Sequence, residues 1–124
     1  MLKNYKLIIA YDGTFFFGWQ IQKDTRTVQG VIEKELKYIF KVDDINLIGS
    51  GRTDSGVHAN AQVANFVIKT TMSELQIQNA LNSRLPEDIF INSCNAINQT
   101  FNSRFSAVKR EYIYYITNNY SPIN

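Results

Sequence analysis

Apolar positions along the chain follow strand-like and helix-like spacings in turn. Short runs of β-branched, aliphatic and aromatic residues, bounded by turn residues, are typical of strands. Such runs occupy residues 5–11, 45–48, 62–69 and 89–97. Between the first two runs, apolar residues recur on one helical face from residue 28 to residue 40, and Thr27 precedes them as a plausible N-cap. The pattern predicts a first helix there, with Glu33 and Lys37 paired on its solvated face.

A second helix is predicted after the third strand. Ser73 and Gln76 have the spacing of a capping box, and Pro86 ends the helix near Arg84 because proline disfavours helical angles in the residue before it. The resulting order, β-α-β-β-α-β, predicts an α+β fold of the ferredoxin-like (split βαβ) type. In that fold an antiparallel sheet carries both helices on one face and leaves the other face free to bind. A fifth strand, at residues 108–117, would carry Arg110 and Tyr112 on one side.

The composition indicates a single modest domain spanning residues 1–124. Its net charge of +2 is compatible with a polyanionic partner but does not demand one. No apolar run approaches the length that spans a bilayer, and the first residues lack a signal-peptide pattern, so a soluble, cytoplasmic protein without a membrane partner is expected. Cys94 is the only cysteine and His58 the only histidine, and both are expected to be structural. The sequence therefore predicts neither a metal site nor a cofactor.

The stretch from Gly49 to Ala59 carries the most distinctive chemistry. Three glycines in eight residues allow a tight turn, and Arg52 and Asp54 place opposite charges on that turn between two predicted strands. Loops mounted in this way often carry function, so one interpretation is a carboxylate held by a guanidinium. The alternative is a glycine-rich hairpin whose charges are merely solvated. The residue types of the loop leave both interpretations open.

Two groups of aromatic residues are harder to interpret. The segment Phe15 to Gln22 has no clear period, and the sequence favours Phe15 and Phe17 as caps of the core, with Trp19 facing a ligand beside two glutamines. Tyr112 belongs to a tyrosine stripe that would ordinarily pack against a neighbouring strand. Only proximity to Asp54 would give Tyr112 a role in binding a planar base.

Residues 51–59, Gly-Arg-Thr-Asp-Ser-Gly-Val-His-Ala, resemble the signature of the TruA-type tRNA pseudouridine synthases. Further segments are similar to motifs of the same family and occur in the same order: residues 11–14 with 17–22, 28–30, 81–89, and 104–107 with 110–114. Several spaced motifs are far more specific than one, and the similarity covers nearly the whole chain. The resemblance therefore favours the held carboxylate over the solvated hairpin.

The resemblance implies that uridine is converted to pseudouridine in the anticodon stem-loop of tRNA, without a cofactor. By this resemblance Asp54 is the nucleophile, Arg52 holds Asp54 and helps to admit a flipped base, and Tyr112 stacks on the target uracil. Arg110 is expected to bind substrate because it shares a strand face with Tyr112. Weaker candidates for RNA contacts are Trp19, Gln20 and Arg104.

The chain departs from the family in length. Family members are roughly twice as long, so residues 1–124 are expected to be the N-terminal ferredoxin-like half of a catalytic domain whose second half is absent. The resemblance implies a homodimer for the full-length protein and poor activity for this half alone. The alternatives are an inactive fragment or a non-catalytic RNA-binding module that uses its sheet as a stacking platform.

Overall fold

The computed structural model describes residues 2–98, and this part of the chain contains four strands, two α-helices and a short 3-10 turn. In chain order the elements are β1 (Leu2–Tyr11), the 3-10 turn (Gly13–Phe15), α1 (Val28–Phe40), β2 (Ile48–Gly49), β3 (Ala59–Lys69), α2 (Glu74–Arg84) and β4 (Ile89–Ile97). The predicted fifth strand, with Arg110 and Tyr112, lies outside the described residues, as does Arg104. Within residues 2–98, neither helix has the length and apolarity needed to cross a bilayer.

The strands form one antiparallel sheet in the order β2-β3-β1-β4. α1 connects β1 to β2, and β3 lies between those two strands in the sheet. α2 connects β3 to β4, and β1 lies between them. This interleaving is the split βαβ topology, so the predicted α+β ferredoxin-like fold is confirmed. At one end of the sheet Tyr11 pairs with both Ala59 and Ile89. The end of β1 and the starts of β3 and β4 therefore meet at that end.

The hydrophobic core lies between one face of the sheet and the two helices. Alternate side chains of β1, those of Tyr5, Leu7, Ile9 and Tyr11, are buried. Fully buried side chains also come from both helices: Val28, Ile32, Leu36, Ile77 and Leu81. Burying an aliphatic side chain of this size stabilises a fold by about 1.5–3 kcal/mol. The periodicity that predicts the helices therefore also determines which face of each helix is buried.

Cys94 belongs to this core, as predicted. Its side chain is buried, and burial is the main reason that the pKa of its thiol rises to about 12, with a smaller contribution from the nearby Glu74. A thiol with so high a pKa holds its proton at neutral pH and is a poor nucleophile.

Both helices begin at the predicted caps. Thr27 Oγ1 accepts the Gly30 N–H at 3.2 Å at the start of α1. At the start of α2, Ser73 Oγ accepts the Gln76 N–H at 3.1 Å while Gln76 Oε1 accepts the Ser73 N–H at 2.8 Å, which completes the capping box. α2 ends at Arg84, because Leu85 has extended backbone angles before Pro86.

The second strand is shorter than predicted, because side chains of α1 bind the backbone that precedes it. Leu47 donates its N–H to Glu33 Oε2 at 2.8 Å, and its carbonyl accepts from Gln29 Nε2 at 2.9 Å. Only Ile48–Gly49 pairs with β3. The prediction that Glu33 lies on a solvated face is therefore wrong: the residue is 8% exposed. Burial also raises the pKa of its carboxyl, although the Leu47 N–H opposes that shift.

The aromatic segment after β1 is arranged differently from the prediction. Phe16 and Trp19 are 2% and 1% exposed, whereas Phe15 and Phe17 are 75% and 53% exposed. The centroids of the Trp19 and Tyr11 rings are 6.3 Å apart. The Trp19 indole also packs against Gly49, where an added Cβ would lie 2.5 Å from the indole Nε1. The prediction of a ligand-facing Trp19 is wrong because the glycine at the end of β2 leaves space for a buried indole.

Candidate functional site

The loop that carries Arg52 and Asp54 joins β2 to β3 and lies against the segment that follows β1. The main-chain N–H of Trp19 donates to Thr53 O at 3.1 Å, and the Tyr11 hydroxyl is 2.8 Å from Thr53 Oγ1. These two contacts hold the residue immediately before Asp54. Tyr11 lies in the sheet, so the hydroxyl contact fixes this side of the loop to a rigid element.

The residues after Asp54 are held by the same segment. Phe16 O accepts the Gly56 N–H at 3.1 Å and the Ser55 hydroxyl at 3.2 Å. Asp54 O in turn accepts the Val57 N–H at 3.1 Å, which closes a turn, and Gly56 has a φ of +82° that favours glycine. The backbone on both sides of Asp54 is thus fixed by hydrogen bonds from residues 11–19.

The approach of these two segments requires a glycine at position 18. Gly18 has a φ of +82°, and a Cβ added there would collide with Thr53 O and lie 3.3 Å from the carbonyl carbon of Asp54. A side chain at this position would push the loop away. The packing therefore explains the motif Phe17-Gly18-Trp19. Gly18 lets the segment contact the loop, and the Trp19 indole packs against Gly49.

The first residues of the loop are fixed to β3. Ser50 donates its N–H to Val63 O at 2.7 Å, and its hydroxyl donates to Gln62 Oε1 at 2.7 Å. Gln62 Nε2 then donates to Gly51 O at 2.6 Å. Gln62 is 4% exposed, so these bonds connect the start of the loop to a well-packed strand.

The side chains of Arg52 and Asp54 project from this fixed backbone and are exposed. Within residues 2–98 the arginine–carboxylate ion pairs join Arg26 to Asp88 and Arg84 to Glu35. Arg52 and Asp54 therefore do not form the expected ion pair in this structure. Hydrogen bonds of its neighbours hold the backbone of Asp54 in place, and the role of Arg52 stays a prediction.

His58 has a structural contact, as predicted. Its Nδ1 accepts the Gly13 N–H at 2.8 Å, so the proton of the neutral ring lies on Nε2. Asp12 Oδ1 is 3.1 Å from the same Nδ1, and no hydrogen bond joins the two atoms while Nδ1 accepts from Gly13. The pKa of the Asp12 carboxyl is lowered chiefly by the Thr14 hydroxyl and N–H, which donate to Oδ1 at 2.5 Å and 3.0 Å, and to a smaller extent by His58.

A shallow groove of about 430 Å³ adjoins His58 at the end of the sheet where β1, β3 and β4 meet. Its lining includes Asp12, Glu87, Asp88 and the exposed ring of Phe90, but neither Arg52 nor Asp54. Asp88 is paired with Arg26, whereas Asp12 and Glu87 add negative charge that disfavours a phosphate backbone. Asp54 lies outside this groove.

The structure places only part of the predicted site. Arg52, Asp54 and Gln20 are exposed, and Trp19 is buried. Tyr112, Arg110 and Arg104 lie outside the described residues, so their proximity to Asp54 stays a prediction. The interpretation of single residues missed Tyr11, Phe16 and Ser55 as the groups that hold the loop. All three belong to motifs of the resemblance or adjoin them, and that is the one signal in the sequence that points to them.

Comparison with known proteins shows the family to which this chain is similar. A family model described as tRNA pseudouridine synthase matches residues 7–106. The chain is 47% identical over 119 residues to tRNA pseudouridine synthase A of Thermosipho africanus, an alignment covering 95% of this chain and 48% of that protein. It is 43% identical over 121 residues to the protein of the same name from Pseudothermotoga lettingae, covering 98% of this chain and 49% of the relative. The chain thus spans about half the length of the curated relatives it matches, and it belongs to the tRNA pseudouridine synthase family.

Proposed function

We propose that this chain supplies the nucleophile-bearing half of an enzyme that isomerises uridine to pseudouridine in the anticodon stem-loop of tRNA. The observation that carries the proposal is the exposed carboxylate of Asp54 on a loop whose backbone is held on both sides of that residue. A nucleophile needs access to its substrate and a defined direction. An exposed side chain on an anchored turn meets both needs.

In the proposed reaction the Asp54 carboxylate attacks C1′ of the ribose, so that an ester bond forms at C1′ while the bond between C1′ and N1 of the uracil breaks. The freed ring turns and its C5 attacks C1′, which breaks the ester bond and releases the carboxylate. The proton on C5 is then lost to solvent while N1 gains a proton, and the carboxylate leaves unchanged. Every atom of the nucleoside is retained apart from exchanged protons, so the step needs no oxidant, reductant or cofactor.

The target base must leave its stack before Asp54 can reach it. Extruding a base costs a few kcal/mol, which stacking on an aromatic side chain and contacts to phosphate can offset. We assign the stacking to Tyr112, with Arg110 beside it and Arg52 admitting the flipped base. These three roles follow from the family resemblance.

The partner in this proposal is tRNA, and the complete activity belongs to a protein that contains both halves of the family's length. Relatives named tRNA pseudouridine synthase A are about twice as long as the region they share with this chain. We further propose a homodimer, as the resemblance implies, and a cytoplasmic location, where tRNA is found. Sedimentation of the protein expressed from its complete coding sequence tests the first of these.

The decisive variant is Asp54→Asn in the protein expressed from its complete coding sequence. Asparagine keeps the shape of the side chain but removes its negative charge and nucleophilicity. We expect tRNA binding to persist and release of tritium from tRNA labelled at C5 of uridine to fall to background. Asp43→Asn, which neutralises an exposed acid before β2, is the matched control and should release tritium at the wild-type rate. Continued release by Asp54→Asn would refute the proposed role.

A further inference from the structure

One arginine side chain contacts two consecutive residues of the segment that holds the Asp54 loop. The Arg26 guanidinium donates to Phe15 O at 3.3 Å and lies 4.0 Å from the centroid of the Phe16 ring. The main-chain carbonyl of Arg26 accepts the Phe17 N–H at 2.7 Å. Arg26 therefore binds residues 15–17 with its side chain and its backbone together.

The same guanidinium is fixed to the start of β4. Its two terminal nitrogens bind the two carboxylate oxygens of Asp88 at 3.0 Å and 3.2 Å. Asp88 O also accepts the Asp12 N–H at 2.9 Å, which joins the end of β1 to the same point. A planar guanidinium in a two-bond fork has a defined orientation that a lysine cannot reproduce. The Arg26 guanidinium thus links Asp88, at the start of β4, to residues 15–17.

Phe16 connects this arginine to the loop. Its ring is buried beneath the guanidinium, and its carbonyl accepts from Ser55 Oγ and Gly56 N, the two residues that follow Asp54. A shift of Phe16 would therefore alter both hydrogen bonds on one side of Asp54. No other described guanidinium contacts this segment through both a carboxylate fork and a ring.

We propose that Arg26 is a positioning residue for Asp54, acting through Phe16, Ser55 and Gly56. The proposal rests on the proposed function for its effect on catalysis, whereas its effect on the loop stands on the contacts alone. Displacement of a reacting group by about 1 Å can lower a rate about 100-fold even when the mutated residue is remote from the chemistry. Loss of Arg26 should therefore slow the reaction without removing any group that touches the substrate.

The chain offers a matched control in Arg84. Arg84 Nε is 2.7 Å from Glu35 Oε1, and its guanidinium lies 3.6 Å from the centroid of the Tyr38 ring. The two arginine side chains are similarly exposed, at 39% for Arg26 and 38% for Arg84. Arg84 joins α2 to α1, and these partners lie outside residues 11–19 and the Asp54 loop. Removing Arg84 thus deletes the same kinds of contact at a distance from the site.

The test compares Arg26→Ala with Arg84→Ala in the protein expressed from its complete coding sequence. Both variants should lower the melting temperature, Arg26→Ala by more, because its side chain loses three hydrogen bonds and that of Arg84 loses one. Arg26→Ala should lower kcat about 10-fold to 100-fold with little change in KM for tRNA, whereas Arg84→Ala should leave kcat near the wild-type value. Arg26→Lys should be intermediate, because it keeps the charge and loses the fork.

A second measurement does not depend on the reaction. Hydrogen exchange of the Gly56 amide, which donates to Phe16 O, should accelerate in Arg26→Ala and not in Arg84→Ala. If Arg26→Ala does not fold, Asp88→Asn, which weakens one side of the same fork, takes its place in both measurements. Unchanged Gly56 exchange, or equal loss of kcat in both arginine variants, would overturn the proposal. A wild-type protein that forms no pseudouridine would refute the proposed function, while the exchange result would still decide the role of Arg26.

Discussion

Glu33 shows how a single ionisable residue can set part of the pH dependence of this fold. Its carboxylate accepts the Leu47 N–H, and Gln29 Nε2 lies 3.4 Å from the same oxygen. Burial nevertheless raises the pKa of the carboxyl above the ordinary value of 4.5. The folded state therefore holds the proton more tightly than the unfolded chain does. The stability that this preference contributes is present below the unfolded pKa and is lost as pH rises through the folded pKa.

The corresponding prediction concerns Glu33→Gln. Glutamine keeps an oxygen that can accept the Leu47 N–H and has no charge to bury, so the variant should gain stability over the wild type as pH rises through the folded pKa of Glu33. Urea unfolding of both chains at a series of pH values measures the difference. Glu33→Ala should cost about 1–3 kcal/mol below the unfolded pKa, because it leaves the buried Leu47 N–H without its acceptor, and less as pH rises through the folded pKa. A difference between Glu33→Gln and wild type that does not vary with pH would contradict this account.

Residue-scale prediction from the sequence fails where burial is decided by distant segments. Phe15, Phe16 and Phe17 are chemically identical, yet only Phe16 is buried, because its carbonyl and ring are held by residues of the Asp54 loop and by Arg26. Nothing in the local pattern distinguishes the three rings. Trp19 is misassigned for the same reason, since the space it fills is created by Gly49, thirty positions along the chain.

At the scale of elements, β4 contains an irregularity that α2 side chains support. Ile8 pairs with Ser93 and Ile9 with Ile91, so Asn92 is an extra residue in the ladder between β1 and β4. Asn82 Oδ1 accepts the Ile91 N–H at 2.8 Å, and Asn82 Nδ2 donates to Ile91 O at 2.9 Å. Gln78 Nε2 donates to Asn92 O at 3.2 Å. The helix thus satisfies the backbone groups beside the bulge.

We therefore expect Asn82→Ala to destabilise the fold by about 1–3 kcal/mol, since the Ile91 N–H would lose its acceptor and the Ile91 carbonyl would keep only the longer contact from Gln78 Nε2 at 3.4 Å. Asn82→Asp keeps only the acceptor and should fall between the alanine variant and the wild type. Ser83→Ala is the control: its hydroxyl is exposed and bonds within the helix, so the change should be within about 0.5 kcal/mol. Urea unfolding measures all three, and an Asn82→Ala variant as stable as Ser83→Ala would show that water replaces the asparagine.

The boundaries of a helix or strand are predictable from this sequence where neighbouring turn and cap residues determine them. They are harder to predict where residues distant in sequence determine them. β4 runs from Ile89 to Ile97 as predicted, and both helices start at the residues that cap them. These boundaries follow from turn residues and caps that act on their immediate neighbours. β2 is the exception, since Gln29 and Glu33 bind the backbone that would otherwise extend the strand. The candidate site is predictable only through the loop motif, because its supports lie some forty residues away in sequence.

At the scale of the whole molecule, the split βαβ topology brings the supports of Asp54 together. The end of β1, the starts of β3 and β4, and the loop after β2 converge at one end of the sheet. This convergence lets residues 11–19 hold the loop while Arg26 and Asp88 hold residues 15–17. The Asp54 side chain nonetheless remains exposed, so this part of the chain supplies a positioned carboxylate without enclosing it.

That exposure predicts a difference between this chain alone and the complete protein. An active site that excludes water strengthens the interactions on which catalysis depends, and an open loop cannot provide this. We expect the isolated 124-residue chain to release little or no tritium from C5-labelled tRNA, while the protein expressed from its complete coding sequence turns over.

Binding should differ as well as turnover. The isolated chain has a net charge of only +2, so its tRNA affinity should be weak and should fall less steeply with salt than that of the complete protein, which has more surface for phosphate contacts. Titrations at several salt concentrations, run beside the tritium assay, separate the two effects. Turnover by the isolated chain at the rate of the complete protein would show that Asp54 needs no residues outside these 124 to exclude water from the site. Equal salt slopes would place all the phosphate contacts on these 124 residues.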